Sequence, residues 1–141
     1  MTETQEKTKN PAHEAGRRSR EAVIARDKEA WLAVFAENAI VEDPIGPSPF
    51  DPEGKGHRGR DAISAFWDKA IAPTTKIEFV FRDTYQCGNE EANVGHILIT
   101  TGDYQTTAEG VFTYKADDEG KMLALRAYWE IDRAVANTKK V

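Results

Sequence analysis

The order of periodicities along the 141-residue chain predicts an α+β fold, with helices laid on one face of an antiparallel sheet. Three observations carry this. Apolar residues recur at helical spacing early in the chain, at Ala22, Val23, Ala25, Trp31, Leu32, Val34 and Phe35, and again at Ile63, Phe66, Trp67, Ala70 and Ile71. From Lys76 onward, runs rich in β-branched and aromatic residues are separated by glycine-containing turns. The last run alternates: Leu123, Leu125, Ala127, Trp129 and Ile131 on one face, and Ala124, Arg126, Tyr128, Glu130 and Asp132 on the other. One face of that strand packs, while the other meets water or an interface.

Residues 1–16 lack large apolar side chains and include Pro11 and Gly16, so a mobile tail is expected there. A domain over 17–133 and a short C-terminal tail over 134–141 follow. Asp27 lies between the first two helical segments as the N-cap of the second. The period then changes to two: in Ala39-Ile40-Val41-Glu42-Asp43-Pro44, Val41 and Asp43 share one face and Ile40 and Glu42 the other. Pro44 ends that strand. Residues 44–59 hold four of the six prolines and four of the ten glycines, which predicts a long loop. Pro73 closes the third helix, and four strands are expected over Lys76–Arg82, Asn93–Thr101, Thr107–Ala116 and Met122–Asp132.

Composition narrows the function. Nineteen basic against twenty-four acidic residues give a net charge of −5, which argues against nucleic acid as a partner. No apolar run approaches the ~20 residues that span a bilayer, and the polar start resembles no secretory signal, so the expected location is the cytoplasm. The single cysteine, Cys87, and the scattered His13, His57 and His96 give no metal-ligand spacing, so no metal is expected.

Asp43 stands out because its strand parity aims a carboxylate at the core. Such a group must be hydrogen-bonded, paired or kept neutral. Two readings stay open: a turn residue capping the Pro44 loop, or a carboxyl in an apolar cavity that shuttles a proton.

Three blocks carry a resemblance: Val41-Glu42-Asp43-Pro44-Ile45-Gly46, Gly59-Arg60-Asp61-Ala62-Ile63-Ser64-Ala65-Phe66-Trp67, and Ala127-Tyr128-Trp129. In this order and at these intervals the chain resembles the delta-5-3-ketosteroid isomerases, close to the mycobacterial-type steroid isomerase-like proteins. They belong to the nuclear transport factor 2-like superfamily, as do the SnoaL-like polyketide cyclases. The resemblance covers about 17–133, with an insertion near 48–57. It implies a conical barrel, in which a curved antiparallel sheet wrapped by three helices encloses a ligand cavity, and it implies a homodimer. The outer sheet face with Arg126, Tyr128 and Glu130 is the expected interface.

By the same resemblance Asp43 matches the general base, Trp129 an aromatic beside it, and Leu125 a pocket wall. Val41, Phe66, Trp67 and Phe112 complete the expected pocket, with Trp67 in place of a supporting tyrosine. The family's two oxyanion donors fall on Ser19 and Phe112. Three substitute donors are candidates. His96 shares a face with Val94 and Leu98, which aims it at the cavity; Tyr114 shares the parity of Phe112; and Ser19 sits beside Arg17, Arg18 and Arg20 on what reads as a solvated helix start. The function implied is proton transfer beside a ketone in a flat apolar ligand, a steroid by resemblance, with no cofactor. A binding protein without chemistry remains open, as does another reaction of the superfamily such as cyclisation, dehydration or epoxide opening.

Overall fold

The computed structural model describes residues 10–141. Helix α1 spans Pro11–Ile24, with the Asn10 side chain accepting from the Ala12 and His13 amides and proline in the first turn. The expected tail is therefore corrected: residues 1–9 lie outside the described residues, but 11–16 are helical. The reading looked for large apolar side chains, whereas this helix packs through small ones. Ala12, Ala15, Gly16, Ser19, Ala22 and Val23 form its buried face. A Cβ on Gly16 would lie 2.5 Å from the Tyr114 ring, so the helix approaches the sheet more closely there than any other residue allows.

Helix α2, Lys28–Val34, is N-capped by Asp27, whose carboxylate accepts from the Ala30 amide at 3.1 Å. Its Trp31 is 1% exposed and gathers an aromatic cluster. Phe35 meets it edge-on at 4.8 Å, Trp67 lies at 5.3 Å, and Phe66 stacks at 6.4 Å. The indole N–H donates to Ser19 Oγ at 3.0 Å, tying α2 to α1.

Strand β1, Phe35–Glu42, turns Val41 inward and Glu42 outward, where Arg126 Nε donates to it at 2.7 Å. The loop after β1 is organised: the Asp51 carboxylate accepts from the Gly54 and Gly56 amides, and the Ile45 amide donates to the Ala127 carbonyl. Strand β2, His57–Arg58, pairs antiparallel with β1. Helix α3, Gly59–Phe66, continues into a π-helical turn over Trp67–Ile71. Arg26, just past α1, donates to the carbonyls of Ile71 and Thr74 at 3.1 and 2.7 Å and holds that turn in place.

Strands β3 (Lys76–Cys87), β4 (Glu90–Thr101), β5 (Tyr104–Ala116) and β6 (Met122–Trp129) follow. Helix α4, Ile131–Ala136, and the short strand β7, Thr138–Lys140, fold back onto β5. Two expectations are thereby corrected: β6 stops at Trp129, not Asp132, and 134–141 is not a tail but a docked helix end and strand. The sheet order is β2-β1-β6-β5-β4-β3, with β7 beside β5. It is curved but not closed, and it is mixed, because β1 runs parallel to β6. The α+β architecture expected from the sequence holds: α1, α2 and α3 are the three expected N-terminal helices, and α4 is a fourth among the described residues.

The inner face is polar at one end. The buried Glu91 carboxylate contacts His13 Nδ1 at 2.5 Å and accepts from Asn93 Nδ2 at 3.1 Å, while Thr84 Oγ1 donates to Asn93 Oδ1 at 2.7 Å. These bonds fasten the start of α1 to β3 and β4. Arg126 and Tyr128 lie on the outer face, Tyr128 being exposed. No helix among the described residues is long and apolar enough to cross a membrane.

Because Trp31 joins α1, α2 and the π-helical turn, Trp31→Ala is expected to lower stability by about 3–5 kcal/mol. A urea unfolding curve monitored by circular dichroism measures it.

Candidate active site

The curved sheet and the helices enclose an apolar cavity of about 420 Å³. That volume lies within the range of small-molecule sites. Ile77, Phe79, Ile97 and Ile99 form its sheet wall, and Phe66 and Ala70 its helical wall. Phe50, from the loop after β1, meets the Phe66 ring edge-on at 6.1 Å and adds a further wall.

Asp43 sits on this cavity one residue past the end of β1. Its partner is Trp129, whose Nε1 donates to Oδ1 at 2.6 Å. β1 and β6 run side by side with Val41 opposite Leu125, so the residues that follow in each strand bring carboxyl and indole together. Burial pushes the Asp43 carboxyl above the ordinary carboxylate range, and the Trp129 hydrogen bond only partly offsets this. Asp43 is the only carboxylate among the described residues that line the cavity, so no second acid shares the proton. Such a group accepts a proton from a weak carbon acid better than an exposed carboxylate does.

Of the other expected pocket residues, Phe66, Phe112, Leu125 and Trp129 line the cavity, as do Ser19 and Tyr114. Val41 and Trp67 do not: both are buried in the solid core built around Trp31 and Phe35, which fills the space between the helices and β1. His96 is on the wrong side of the sheet. The inner face of β4 is Glu91, Asn93, Gly95, Ile97, so His96 points outward, where Nδ1 lies 3.5 Å from Glu109. The apolar neighbours Val94 and Leu98 belong to that outer face, and the buried polar pair Glu91 and Asn93 reverses the parity that hydrophobicity suggests. Ser19 reaches the cavity wall, but its oxygen already accepts the Trp31 N–H.

Among the cavity residues that the sequence reading did not assign to the site, Phe50 and Arg20 stand out. Phe50 is a lone aromatic in a proline- and glycine-rich stretch, and that isolation was its one signal. Arg20, expected on a solvated face with Arg17 and Arg18, instead lines the cavity. It lies four residues after Gly16, hence on the sheet-facing side of α1. Its guanidinium stands over the Phe81 and Tyr114 rings at 5.2 and 5.6 Å and donates from Nη1 to the Tyr114 hydroxyl at 3.2 Å. Arg17, in contrast, is a surface residue pairing with Glu14 and Glu21.

Comparison with known proteins agrees with this fold. The delta 5-3-ketosteroid isomerase from Mycobacterium sp. is 33% identical, with 94% of this chain and 99% of that one covered and a TM-score of 0.83. RV0760c from Mycobacterium tuberculosis, solved in complex with estradiol-17beta-hemisuccinate, is 30% identical over 93% of this chain and 99% of that one, with a TM-score of 0.82. A computationally designed 17-OHP binder is 30% identical over 92% and 95% of the two chains, with a TM-score of 0.80. No curated protein matches the chain. The family model described as a SnoaL-like domain matches residues 17–125, from the middle of α1 to the cavity-facing Leu125 of β6. With that match spanning most of α1, α2, α3, Asp43 and most of the sheet, and with relatives of 30% identity or more sharing the fold, the chain belongs to the SnoaL-like domain family.

Proposed function

We propose that this protein moves a proton beside the ketone of a flat apolar ligand, of the steroid class, with Asp43 as the general base. One observation carries the reading: a lone carboxyl, raised in pKa by burial and held by one indole N–H, on the wall of an apolar cavity of about 420 Å³. The ketosteroid isomerase and the two steroid-related relatives support the ligand class.

The sequence of events needs no cofactor. The Asp43 carboxylate removes a proton from the carbon beside the ketone; the C–H electron pair forms a carbon–carbon double bond, and the carbonyl pair moves onto oxygen. The protonated Asp43 then delivers the same proton two carbons further along, as the carbonyl re-forms. Trp129 stabilises the carboxylate through its N–H and orients it toward the cavity. The raised pKa strengthens the base, and the site works only where Asp43 is ionised. Activity therefore rises with pH through that raised pKa.

A second reading, binding without turnover, is favoured by one specific observation. Phe112, in the place where the resemblance puts an acid donor, presents no polar side-chain atom to the cavity, and Ser19 is engaged by Trp31.

Conversion of 5-androstene-3,17-dione to its conjugated isomer, followed by enone absorbance, separates the two. Isomerisation is expected in the wild type and roughly 10²–10⁴-fold slower in Asp43→Asn. Equal rates in both would remove Asp43 from the chemistry, and tight steroid binding with no turnover would establish the binder. Trp129→Phe withdraws the one hydrogen bond that favours the carboxylate, so the rising limb of its pH–rate profile is expected at higher pH than in the wild type.

Asp43 also has a stability signature. Its folded-state pKa lies above the unfolded value, so between the two the native state holds more protons and stability falls as pH rises. Asp43→Asn removes that dependence. Its melting temperature is expected to exceed the wild type's at pH 7 and to converge with it toward pH 4, as differential scanning fluorimetry across pH would show.

A further inference from the structure

We propose that Tyr114 and Arg20 together form the site for the ligand's carbonyl oxygen, with the Tyr114 hydroxyl donating to it and the Arg20 guanidinium placed behind the phenol. The inference rests on the proton-transfer reading above and identifies the group that receives the charge Asp43 generates.

Hydrogen-bond direction is the first argument. Tyr114 is 5% exposed and lines the cavity. Its oxygen accepts from Arg20 Nη1 at 3.2 Å, and guanidinium cannot accept in return. The phenolic proton therefore needs an acceptor elsewhere, and among the described residues no group takes it. A buried hydroxyl whose proton finds no protein acceptor, on the wall of a largely apolar cavity, is suited to a ligand oxygen.

Charge is the second. Arg20 is half-buried, and among the described residues no carboxylate lies within ion-pair distance of it. The residues around it are the faces of Phe81 and Tyr114 and the cavity itself. An uncompensated cation beside a phenol oxygen polarises the O–H bond and strengthens its donation to an oxygen that is gaining negative charge. When Asp43 removes the proton and the carbonyl pair moves onto oxygen, a negative charge develops in a region where Arg20 supplies the balancing positive one. No proton leaves Tyr114, and no further reactant is needed.

Position is the third. The close approach of Gly16 to the Tyr114 ring pins the phenol, and Arg20, one helical turn on from Gly16, stands over its oxygen. Asp43 and Tyr114 line the same cavity. The two groups define a ligand with a ketone oxygen at one and an acidic C–H at the other. They also define a class of mimic, the phenols, whose oxygen would lie at Tyr114 without any carbon to deprotonate.

The test uses the conjugated ketone 4-androstene-3,17-dione as a bound probe, because enone absorption moves to longer wavelength when its oxygen accepts a strong hydrogen bond. A red shift on binding is expected in the wild type and in Asp43→Asn, and its loss in Tyr114→Phe. Arg20→Met should bind the probe with a smaller shift, and Arg20→Lys should restore part of it; a merely structural arginine would change affinity or folding without grading the shift. Turnover of 5-androstene-3,17-dione is expected to fall about 10²–10³-fold in Tyr114→Phe. Failure of the probe to bind, an unshifted spectrum in the wild type, or an equal shift in Tyr114→Phe with native circular dichroism would overturn the proposal. A Tyr114-dependent shift in a protein without turnover would uphold the oxygen site and refute the isomerase reading, so the two failures are distinguishable.

Discussion

Helix α1 rests directly on the ring of Tyr114, and it can do so only because residue 16 has no side chain. The rest of the interior follows from that contact. It sets the height of α1 above the sheet, and so brings Ser19 within reach of the Trp31 indole and Arg20 within reach of the Tyr114 hydroxyl. The bond to Trp31 in turn positions α2, whose aromatic cluster supports the third helix and its π-helical turn. Further along the same helix, Asn10 and His13 hold the other end through Gly88 and Glu91. A single close approach thus divides the interior into a solid core under α2 and α3 and a hollow one over β3 to β6.

The hollow part is where charge is expensive, and among the ionisable groups lining it Asp43 and Arg20 are not paired with each other. Asp43 has one indole N–H, and Arg20 has aromatic faces and a phenol oxygen. Both carry less compensation than is usual for groups removed from water. By contrast Glu91, only 2% exposed, is satisfied by His13 and Asn93 and leaves nothing unpartnered toward the cavity. The contrast separates a carboxylate that holds the fold together from one available for chemistry.

Much of this was legible in the residues. The switch of period at Ala39, the alternation in β6 and the turn glycines were enough for the α+β arrangement, and Asp43 stood out because it shares the strand parity of the apolar Val41. What failed did so for physical reasons. Strand β4 puts Glu91 and Asn93 inside and Val94 and Leu98 outside, so hydrophobicity pointed His96 the wrong way. The start of α1 packs with alanine and glycine, which carry little apolar signal. Arg20 was indistinguishable in type from its solvated neighbours Arg17 and Arg18; only the position of Gly16 against the sheet tells them apart. Val41 and Trp67 were assigned to the pocket because apolar pattern marks an interior without saying whether it is filled.

Under the proposed function, a ligand would fill the cavity beside that packed core. The cavity lies beside the packed core, so a bound molecule would extend that core, and folding and occupancy would be thermodynamically linked. A ligand at a hundredfold excess over its Kd adds about 2.7 kcal/mol to a native state that binds it alone, a sizeable fraction of a small domain's whole stability. The working level of this protein in a cell would then follow the supply of its ligand, with the empty form the one most readily lost to unfolding and proteolysis.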